Sequence, residues 1–411
     1  MNIDELLDAL YHEPDLDKRK YIPDKLAKLG DWQSTIPLGE LIIDAEQPTI
    51  MKNEAVESLG KQGDPRAIPF LIEVLTHPDD DIRRTAVWSL GQIGVPDTLE
   101  PVFSMVNDPS DEVRRWVAKS AGRIRSDEVI SALQSYYDLI TPSDERVMAD
   151  IIRALSSQVE RIPKTRYFYW VEQAHLLLKE DIRNYVKQAV MLFLNHLYAH
   201  GVEPQVSSLE ILFNQLPPED PLVRPLIVEA MGYAEQIDFL LDQGTTHAIR
   251  ALGIAGQADL LQKILANDPT DDQIIAALEG YTYTSATPDL EHYYTHQNLT
   301  VRTQAYQIHA MRGYPIDRIN TAFEDGEARY KLIEIYRYYG EAALDILEQT
   351  ALEYDKVARQ NSVYSLTSAE MLGQQNLHER IAEILTEVNR RDTIWHIRRD
   401  ARIGLEIIQN S

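Results

Sequence analysis

The chain has 411 residues, of which 44% are hydrophobic and 26% are charged, and its formal net charge is −25. These proportions are typical of a folded, soluble protein and argue against long disordered regions. The excess of acidic residues disfavours binding to nucleic acid or to anionic membrane surfaces, because both require a positively charged protein surface. The absence of cysteine excludes disulfides, thiolate metal sites and a cysteine nucleophile.

The N-terminal segment carries no targeting signal that the sequence reveals. Residues 1–5 are acidic and lack the positive charge of a signal peptide. No apolar stretch of the chain approaches the ~20 residues of a transmembrane helix. We therefore expect a cytoplasmic protein. Residues 1–48 precede the first clear repeat and are predicted to form an N-terminal helical cap.

A repeat with a fixed spacing begins after this segment. The sequence at 51–60 is matched 31 residues later at 82–91, and after the same interval again at 113–122. Self-similarity at such a period indicates a repeat architecture, in which each unit packs on its neighbours.

Each repeat is predicted to contain two helices joined by a turn rich in proline and aspartate. Apolar residues recur with helical spacing in both helices. Small residues in the second helix allow a neighbouring helix to approach closely, and a glycine ends it as a C-cap. The predicted core residues of the first helices are Ile68, Leu71, Ile72 and Leu75, then Leu99, Val102, Phe103 and Val106. The predicted core residues of a second helix are Ile82, Ala86, Leu90 and Ile93. The small residues are Ala86, Ser89 and Gly91, and the predicted C-caps are Gly63 and Gly94.

The acidic turn, the Val/Ile-Arg pair, the small-residue helix and the closing Leu-Gly-x-x-Gly resemble HEAT repeats of the short subtype named after phycobilisome lyases. The resemblance implies an all-α, HEAT-like α-solenoid of about ten helix pairs. It also implies a ladder between repeats, formed by acids of the turns and arginines of the helices. The matching residues are Asp79, Asp81 and Arg83, then Asp111 and Arg114, and Arg398 near the C-terminus.

The repeats become less regular along the chain. Regular copies cover 49–160, and degenerate copies of the same pattern continue over 161–411. The proline-rich segment 216–221 is a candidate hinge, because proline cannot continue a helix. An ordinary loop between two repeats is the simpler interpretation of the same segment.

No catalytic or cofactor-binding motif is visible. Two histidine pairs have i, i+4 spacing, His196 with His200 and His292 with His296, and such a pair can supply two metal ligands from one helix face. Neither pair contains the His-Glu-x-x-His motif, so a packed or solvated histidine face is the simpler interpretation. We predict no catalytic residue, no metal and no cofactor, and we favour a protein that is not an enzyme.

In a HEAT array the second helices line the inner, concave face. Opposite the predicted core stripe, Arg84 and Trp88 lie one turn apart on one such helix. A tryptophan beside an arginine is typical of an interface, although packing between repeats explains Trp88 equally well. The predicted partner-binding residues are Asn53, Glu57, Arg84, Trp88, Arg115 and Lys119.

These features predict a non-catalytic scaffold or adaptor for a protein partner with a basic or mixed surface. A second resemblance supports an alternative, since residues 86–94 are similar to runs found in the E/F-type phycobilin lyases. That resemblance implies a lyase or chaperone that delivers an open-chain tetrapyrrole, a bilin, to a cysteine of a phycobiliprotein. Arginine and aromatic side chains suit the propionates and rings of a bilin. We expect neither nucleic acid nor membrane as a partner.

Overall fold

The regular secondary structure is helical throughout the described part of the chain. The structure is a computed structural model that describes residues 2–29, 32–141, 144–324, 326 and 328–409. Within these ranges no strand occurs, and the all-α class predicted from the sequence is confirmed. No helix among the described residues is long and apolar enough to cross a lipid bilayer.

The chain folds as two units, unit 1 from Met1 to Val202 and unit 2 from Glu203 to Ser411. The boundaries predicted at residues 48 and 160 stay predictions. The α-helices of unit 1 are α1 Ile3–His12, α2 Leu16–Arg19, α3 Ile22–Leu29, α4 Thr35–Ile43, α5 Thr49–Gln62, α6 Ile68–Glu73, α7 Asp80–Ile93, α8 Leu99–Phe103, α9 Asp111–Ala121, α10 Val129–Leu139, α11 Glu145–Ser157, α12 Lys164–Leu178 and α13 Asn184–Ala199.

Unit 2 continues with further helix pairs. The candidate hinge at 216–221 lies inside this unit, between its first two helices, and its role as a hinge stays a prediction. The α-helices are α14 Val206–Gln215, α15 Arg224–Tyr233, α16 Ile237–Gln243, α17 Thr246–Ile254, α18 Ala258–Leu265, α19 Asp271–Tyr281, α20 Leu299–Met311, α21 Asp317–Glu324, α22 Arg329–Ile335, α23 Leu344–Glu353, α24 Lys356–Leu366, α25 Ala369–Leu372, α26 His378–Arg391 and α27 Trp395–Gln409.

The second helices of the repeats form a continuous stack within each unit. In unit 1, α5, α7, α9, α11 and α13 each pack on the next, and we call them the second-helix stack of unit 1. The first helices α4, α6, α8, α10 and α12 pack beside their partners in the same order. In unit 2 the corresponding stack runs through α15, α17, α19, α20, α22, α24 and α27. This arrangement confirms the HEAT-like α-solenoid class.

Capping residues explain where the regular second helices begin and end. The carboxylate of Asp79 accepts a hydrogen bond from the backbone N–H of Asp81 at 2.9 Å and so caps the start of α7. Gly94 ends α7 in the left-handed conformation, with φ 65°, and Gly63 ends α5 in the same way, with φ 64°. Both predicted C-caps are therefore confirmed.

The predicted core of the second helix is correct, whereas that of the first helices is only partly so. Ile82, Ala86, Leu90 and Ile93 are all buried. In the first helix Ile68, Leu71 and Leu75 are buried but Ile72 is 42% exposed. Ile72 lies near the end of α6, and the next buried residue is Val74 in the 3₁₀ turn that follows Glu73. In the next copy Leu99 and Val102 are buried, and Phe103 and Val106 are only partly buried.

Glycine and serine set the spacing between neighbouring second helices. A Cβ atom on Gly91 would lie 2.5 Å from Cβ of Ser120 on the next helix, and a Cβ on Gly60 would lie 2.8 Å from Cβ of Ser89. The hydroxyl of Ser120 donates to the carbonyl of Val87 at 2.9 Å. These contacts confirm that the small residues allow close helix approach. Equivalent hydroxyl-to-carbonyl bonds join Ser89 to Val56 at 2.7 Å and, in unit 2, Ser365 to Ile333 at 2.9 Å.

Candidate functional site

The six residues predicted to bind a partner lie on three consecutive helices of the second-helix stack of unit 1. Each side chain is partly exposed, so that the stack presents a row of polar and aromatic groups. Their role in binding stays a prediction. The pairs are Asn53 and Glu57 on α5, Arg84 and Trp88 on α7, and Arg115 and Lys119 on α9.

The α5 end of this row is engaged in contacts within unit 1. The amide oxygen of Asn53 lies 2.9 Å from the hydroxyl of Thr85 on α7, which ties the two helices together. Glu57 pairs with Lys61 one turn later on the same helix, at 2.9 Å. Both side chains therefore have structural partners within unit 1, and their role in binding stays a prediction.

The centre of the row is formed by Arg84 and Trp88. The guanidinium of Arg84 pairs with the exposed carboxylate of Asp81 at 3.1 Å, within the first turn of α7. Trp88 is one turn further along the helix and is half-buried. A surface ion pair of this kind holds an arginine only weakly, because solvent screens both charges.

A buried carboxylate organises the α9 end of the row. Asp150 on α11 is almost inaccessible to solvent, and three cations converge on it. Arg115 Nε is 2.9 Å from Oδ2, Arg153 Nη1 is 3.1 Å from Oδ1, and Lys119 Nζ is 3.9 Å from Oδ2. Asp150 and Arg153 are not among the residues predicted from the sequence. The sequence signal that could have identified Asp150 is an acidic residue within the otherwise apolar stripe of α11.

Burial and ion pairing act in opposite directions on Arg115. Burial alone would lower the pKa of its guanidinium, but the hydrogen bond to Asp150 and the negative charge of that carboxylate outweigh burial, and the pKa is raised. Arg115 therefore stays charged. A buried carboxylate with several charge-assisted partners holds the side chains of α9 and α11 in a fixed register.

A second carboxylate extends the cluster. The Oε1 atom of Glu112 lies 2.8 Å from Nη1 of Arg115 and 3.9 Å from Nη1 of Arg146. We call this group of six residues the Asp150 cluster. It consists of the cations Arg115, Lys119, Arg146 and Arg153 and the anions Glu112 and Asp150.

An aromatic ring lies beside the Asp150 cluster. The ammonium of Lys119 is 4.7 Å from the centre of the Trp116 ring, in a cation–π contact, and Trp116 is half-buried. The second-helix stack of unit 1 thus carries two tryptophans, Trp88 and Trp116, in a setting rich in cations.

The arginine ladder exists, but its acids are not the predicted ones. Arg83 binds the buried carboxylate of Asp108 through Nε at 2.8 Å and Nη2 at 2.9 Å, and donates to the carbonyl of His77 at 2.8 Å. Arg114 pairs with Asp144 at 3.2 Å and donates to the carbonyl of Asp108 at 2.8 Å.

The predicted acids have other positions. Asp79 caps α7, Asp81 pairs with Arg84, and Asp111 is exposed in the first turn of α9. In the observed ladder, the acidic partner lies in the turn after the first helix of the next repeat. From there its side chain reaches the arginine on the second helix of the previous repeat. Asp392 has this place in unit 2, where it pairs with Arg359 at 2.7 Å and its carbonyl accepts from Arg398 at 2.7 Å.

The histidine pairs have protein partners. His196 Nδ1 lies 2.8 Å from the hydroxyl of Ser156, and His200 Nδ1 lies 2.7 Å from the carbonyl of His196. His296 Nδ1 accepts from the backbone N–H of Asn298 at 3.1 Å, and the ring of His292 lies against Tyr293. Among the residues that the structure describes, no three histidine, aspartate or glutamate side chains are placed to hold one metal ion.

The stacked helix pairs define an α-solenoid repeat protein, and comparison of the sequence with family models finds a match in its N-terminal part. The model for HEAT repeats matches residues 3–86 and 68–156. The resemblance to HEAT repeats found in the sequence is therefore confirmed over these residues. No curated protein sequence matches the chain significantly.

Comparison with solved structures gives further similarities. Importin beta, crystallised in a polyethylene glycol condition, aligns with 99% of this chain and 65% of its own length, at 13% identity and a TM-score of 0.52. The complex of CpcE and CpcF of phycocyanin lyase from Nostoc sp. PCC7120 aligns with 63% of this chain and 95% of its own, at 16% identity and a TM-score of 0.34. The likeness to importin beta shows the fold alone.

Proposed function

We propose that this α-solenoid repeat protein is a non-catalytic scaffold that binds a protein partner on the second-helix stack of unit 1. The observation that carries the proposal is the placement of Arg84 and Trp88 on α7 next to the Asp150 cluster on α9 and α11. Half-buried tryptophan and arginine side chains supply most of the binding energy in many protein interfaces. Here they lie on consecutive helices whose register is fixed by buried ion pairs.

The charge of the chain defines the kind of partner. With a net charge of −25, the protein attracts partners whose surfaces are basic or mixed, and this attraction speeds association at low ionic strength. The locally cationic row is then an exception within an acidic molecule. A partner of mixed charge suits both the acidic molecule as a whole and the cationic row, because it carries basic as well as acidic groups.

A bilin-handling role is the second candidate. Its support is the sequence of α7, where residues 86–94 are similar to runs of the phycobilin lyases and where Arg84 and Trp88 are both accessible. An arginine and an indole ring on one helix face are suited to the propionate and the pyrrole system of an open-chain tetrapyrrole. The partner in that case is a phycobiliprotein.

One capture experiment distinguishes these candidates. The tagged full-length chain is used to recover partners from its native host under gentle conditions, and the eluate is analysed by mass spectrometry and visible absorption. A colourless eluate with one reproducible partner, lost on Trp88→Ala and retained on Trp32→Ala, supports the scaffold. A tetrapyrrole absorption band, or a phycobiliprotein as the main partner, favours the bilin role. A partner retained equally by both variants would contradict binding at this row.

A further inference from the structure

We infer that the Asp150 cluster is the docking site for an acidic segment of the protein partner, one whose aspartate or glutamate side chains bind Lys119, Arg146 and Arg153. This inference rests on the proposed function and specifies the chemistry of its ligand. The whole chain is strongly acidic, so a surface that selects carboxylates is an exception within the molecule.

The charges of the cluster do not cancel. Four cations face two carboxylates, and both carboxylates are shared, Asp150 among three cations and Glu112 between two arginines. The cluster therefore has a local charge of about +2 on a molecule whose total charge is −25. A local excess of this size is retained only at a cost in repulsion between like charges, which an incoming anion relieves.

The geometry leaves the cations available while the protein's own carboxylate is hidden. The side chain of Asp150 is 4% exposed, whereas those of Arg153 and Arg146 are 43% and 59% exposed. Asp150 thus binds the charged groups of Arg115, Arg153 and Lys119 from the buried side of the cluster. Arginine has five N–H donors in a planar fork, so that an arginine bound to Asp150 on one edge can bind a second carboxylate on another.

The surroundings favour a peptide carboxylate over a nucleic acid. Trp116 lies against Lys119, and Trp88 is on the neighbouring helix of the stack, so half-buried indole rings supply apolar contact area near the cluster. Nucleic acid is a long polyanion that extends beyond the cluster, where the net charge of −25 disfavours its binding. A short acidic segment meets the cluster alone, and the remaining surface of a mixed-charge partner stays attractive.

A fluorescein-labelled (Glu)8 peptide tests this inference by anisotropy at low ionic strength, with a (Gly-Ser)4 peptide of equal length as the neutral probe. The wild-type chain is expected to bind (Glu)8 and not (Gly-Ser)4. The double variant Lys119→Gln/Arg153→Gln is expected to weaken (Glu)8 binding at least tenfold. The matched control Lys18→Gln/Lys28→Gln makes the same charge change at exposed lysines of unit 1 and is expected to change it less than twofold.

A third variant separates a ligand site from a structural cluster. Asp150→Asn removes the internal competitor for the cations, so it is expected to tighten (Glu)8 binding severalfold, with circular dichroism confirming that the helices are retained. Weaker binding to this folded variant, equal losses in both double variants, or no binding of (Glu)8 to the wild type would overturn the inference. Binding of a thymidine octanucleotide as tight as that of (Glu)8 would overturn the choice of a peptide.

The two proposals fail separately. If (Glu)8 does not bind but the native partner is lost on Trp88→Ala, the scaffold role stands and the acidic-segment inference is wrong. If (Glu)8 binds through Lys119 and Arg153 while the native partner is indifferent to Trp88→Ala, the cluster is an anion site and the proposed binding row is wrong.

Discussion

Gly91 on α7 lies directly against Ser120 on α9, at a distance that leaves no space for even one additional methyl group on the glycine. A Cβ atom on Gly91 would fall 2.5 Å from Cβ and 2.8 Å from Cα of Ser120. The serine hydroxyl completes the contact by donating to Val87 of α7 at 2.9 Å. The same pairing, Gly60 with Ser89, occurs one repeat earlier, so this contact recurs between α5 and α7 and between α7 and α9.

Replacement of Gly91 by alanine is therefore expected to destabilise unit 1. The new methyl group meets backbone as well as side-chain atoms, so α9 must shift, at a cost of roughly 1–3 kcal/mol for an overpacked core. Urea unfolding followed by tryptophan fluorescence measures this, since Trp32, Trp88, Trp116 and Trp170 all lie in unit 1.

Gly122→Ala is the matched control. There the nearest obstacle is the hydroxyl of Ser157 at 3.1 Å, the end of a rotatable side chain. We expect no loss of stability, because Gly122 has right-handed backbone angles, φ −61° and ψ −10°, that alanine adopts without strain, and alanine loses less conformational entropy on folding, about 0.4–1 kcal/mol. Equal effects of the two substitutions would contradict the role of the Gly91–Ser120 contact.

The ladder pair between Arg83 and Asp108 leads to a second prediction. Removal of the guanidinium in Arg83→Ala leaves a buried carboxylate without its bidentate partner, which costs about 3–5 kcal/mol in buried pairs. Arg84→Ala, one residue along, removes only an exposed pair and is expected to cost ~0–1 kcal/mol. Urea unfolding of both variants checks the contrast, and a loss for Arg83→Ala as small as that expected for Arg84→Ala would show that the ladder is dispensable.

The pair of Arg83 and Asp108 also predicts how the stability of the fold changes at acidic pH. Burial alone would raise the pKa of Asp108, but the hydrogen bond from Arg83 and other favourable contacts outweigh it, and the pKa is lowered. An acid whose pKa is lower in the folded state stabilises it above its unfolded pKa, near ~3.9, and loses this contribution as the pH falls through the folded value. Stability curves below about pH 4 are therefore expected to fall less steeply for Arg83→Ala than for the wild type.

His175 on α12 predicts that the free energy of unfolding also depends on pH at higher pH values than those at which Asp108 titrates. Burial, with a smaller effect from the charge of Lys179, lowers the pKa of this histidine to about 4, and its Nε2 atom lies 3.2 Å from the Tyr198 hydroxyl. An unfolded histidine titrates near pH ~6.5, so between that pH and about 4 the unfolded chain binds the extra proton. The free energy of unfolding must then fall as the pH falls through this window, by an amount on the order of 3 kcal/mol.

The substitution His175→Gln tests this origin of the pH effect. It keeps a polar side chain near Tyr198 but removes the titrating group. Urea unfolding at about pH 7, 5.5 and 4.5 is expected to show a flatter pH dependence in the variant. An unchanged slope would assign the effect to other groups.

How far the sequence predicts this structure depends on the range of the contact. Gly63, Gly94 and the core of α7 follow from local patterns, and the structure confirms them. The prediction for Ile72 is wrong because burial at the end of α6 passes to Val74 and Leu75 of the 3₁₀ turn, and no residue type in the sequence signals that turn.

The missed residues have a common physical cause. Asp108 and Asp150 are separated from their arginines by 25 and 35 residues, and the pairing depends on how the repeats stack. That register is a property of packing between helices, and no single repeat contains it. Once the stack is known, an acid at the end of a first helix and an acid within an apolar stripe both become interpretable.

The most direct test of the proposed binding face is a titration between the full-length chain and its captured partner, with Trp88→Ala compared with Trp32→Ala. Trp32 is 63% exposed and lies outside the second-helix stack, so its loss controls for removal of a surface indole. We expect Trp88→Ala to raise the Kd about 30-fold, equivalent to ~2 kcal/mol, while Trp32→Ala leaves it within about twofold. An unchanged Kd for a folded Trp88→Ala chain would contradict binding at this face.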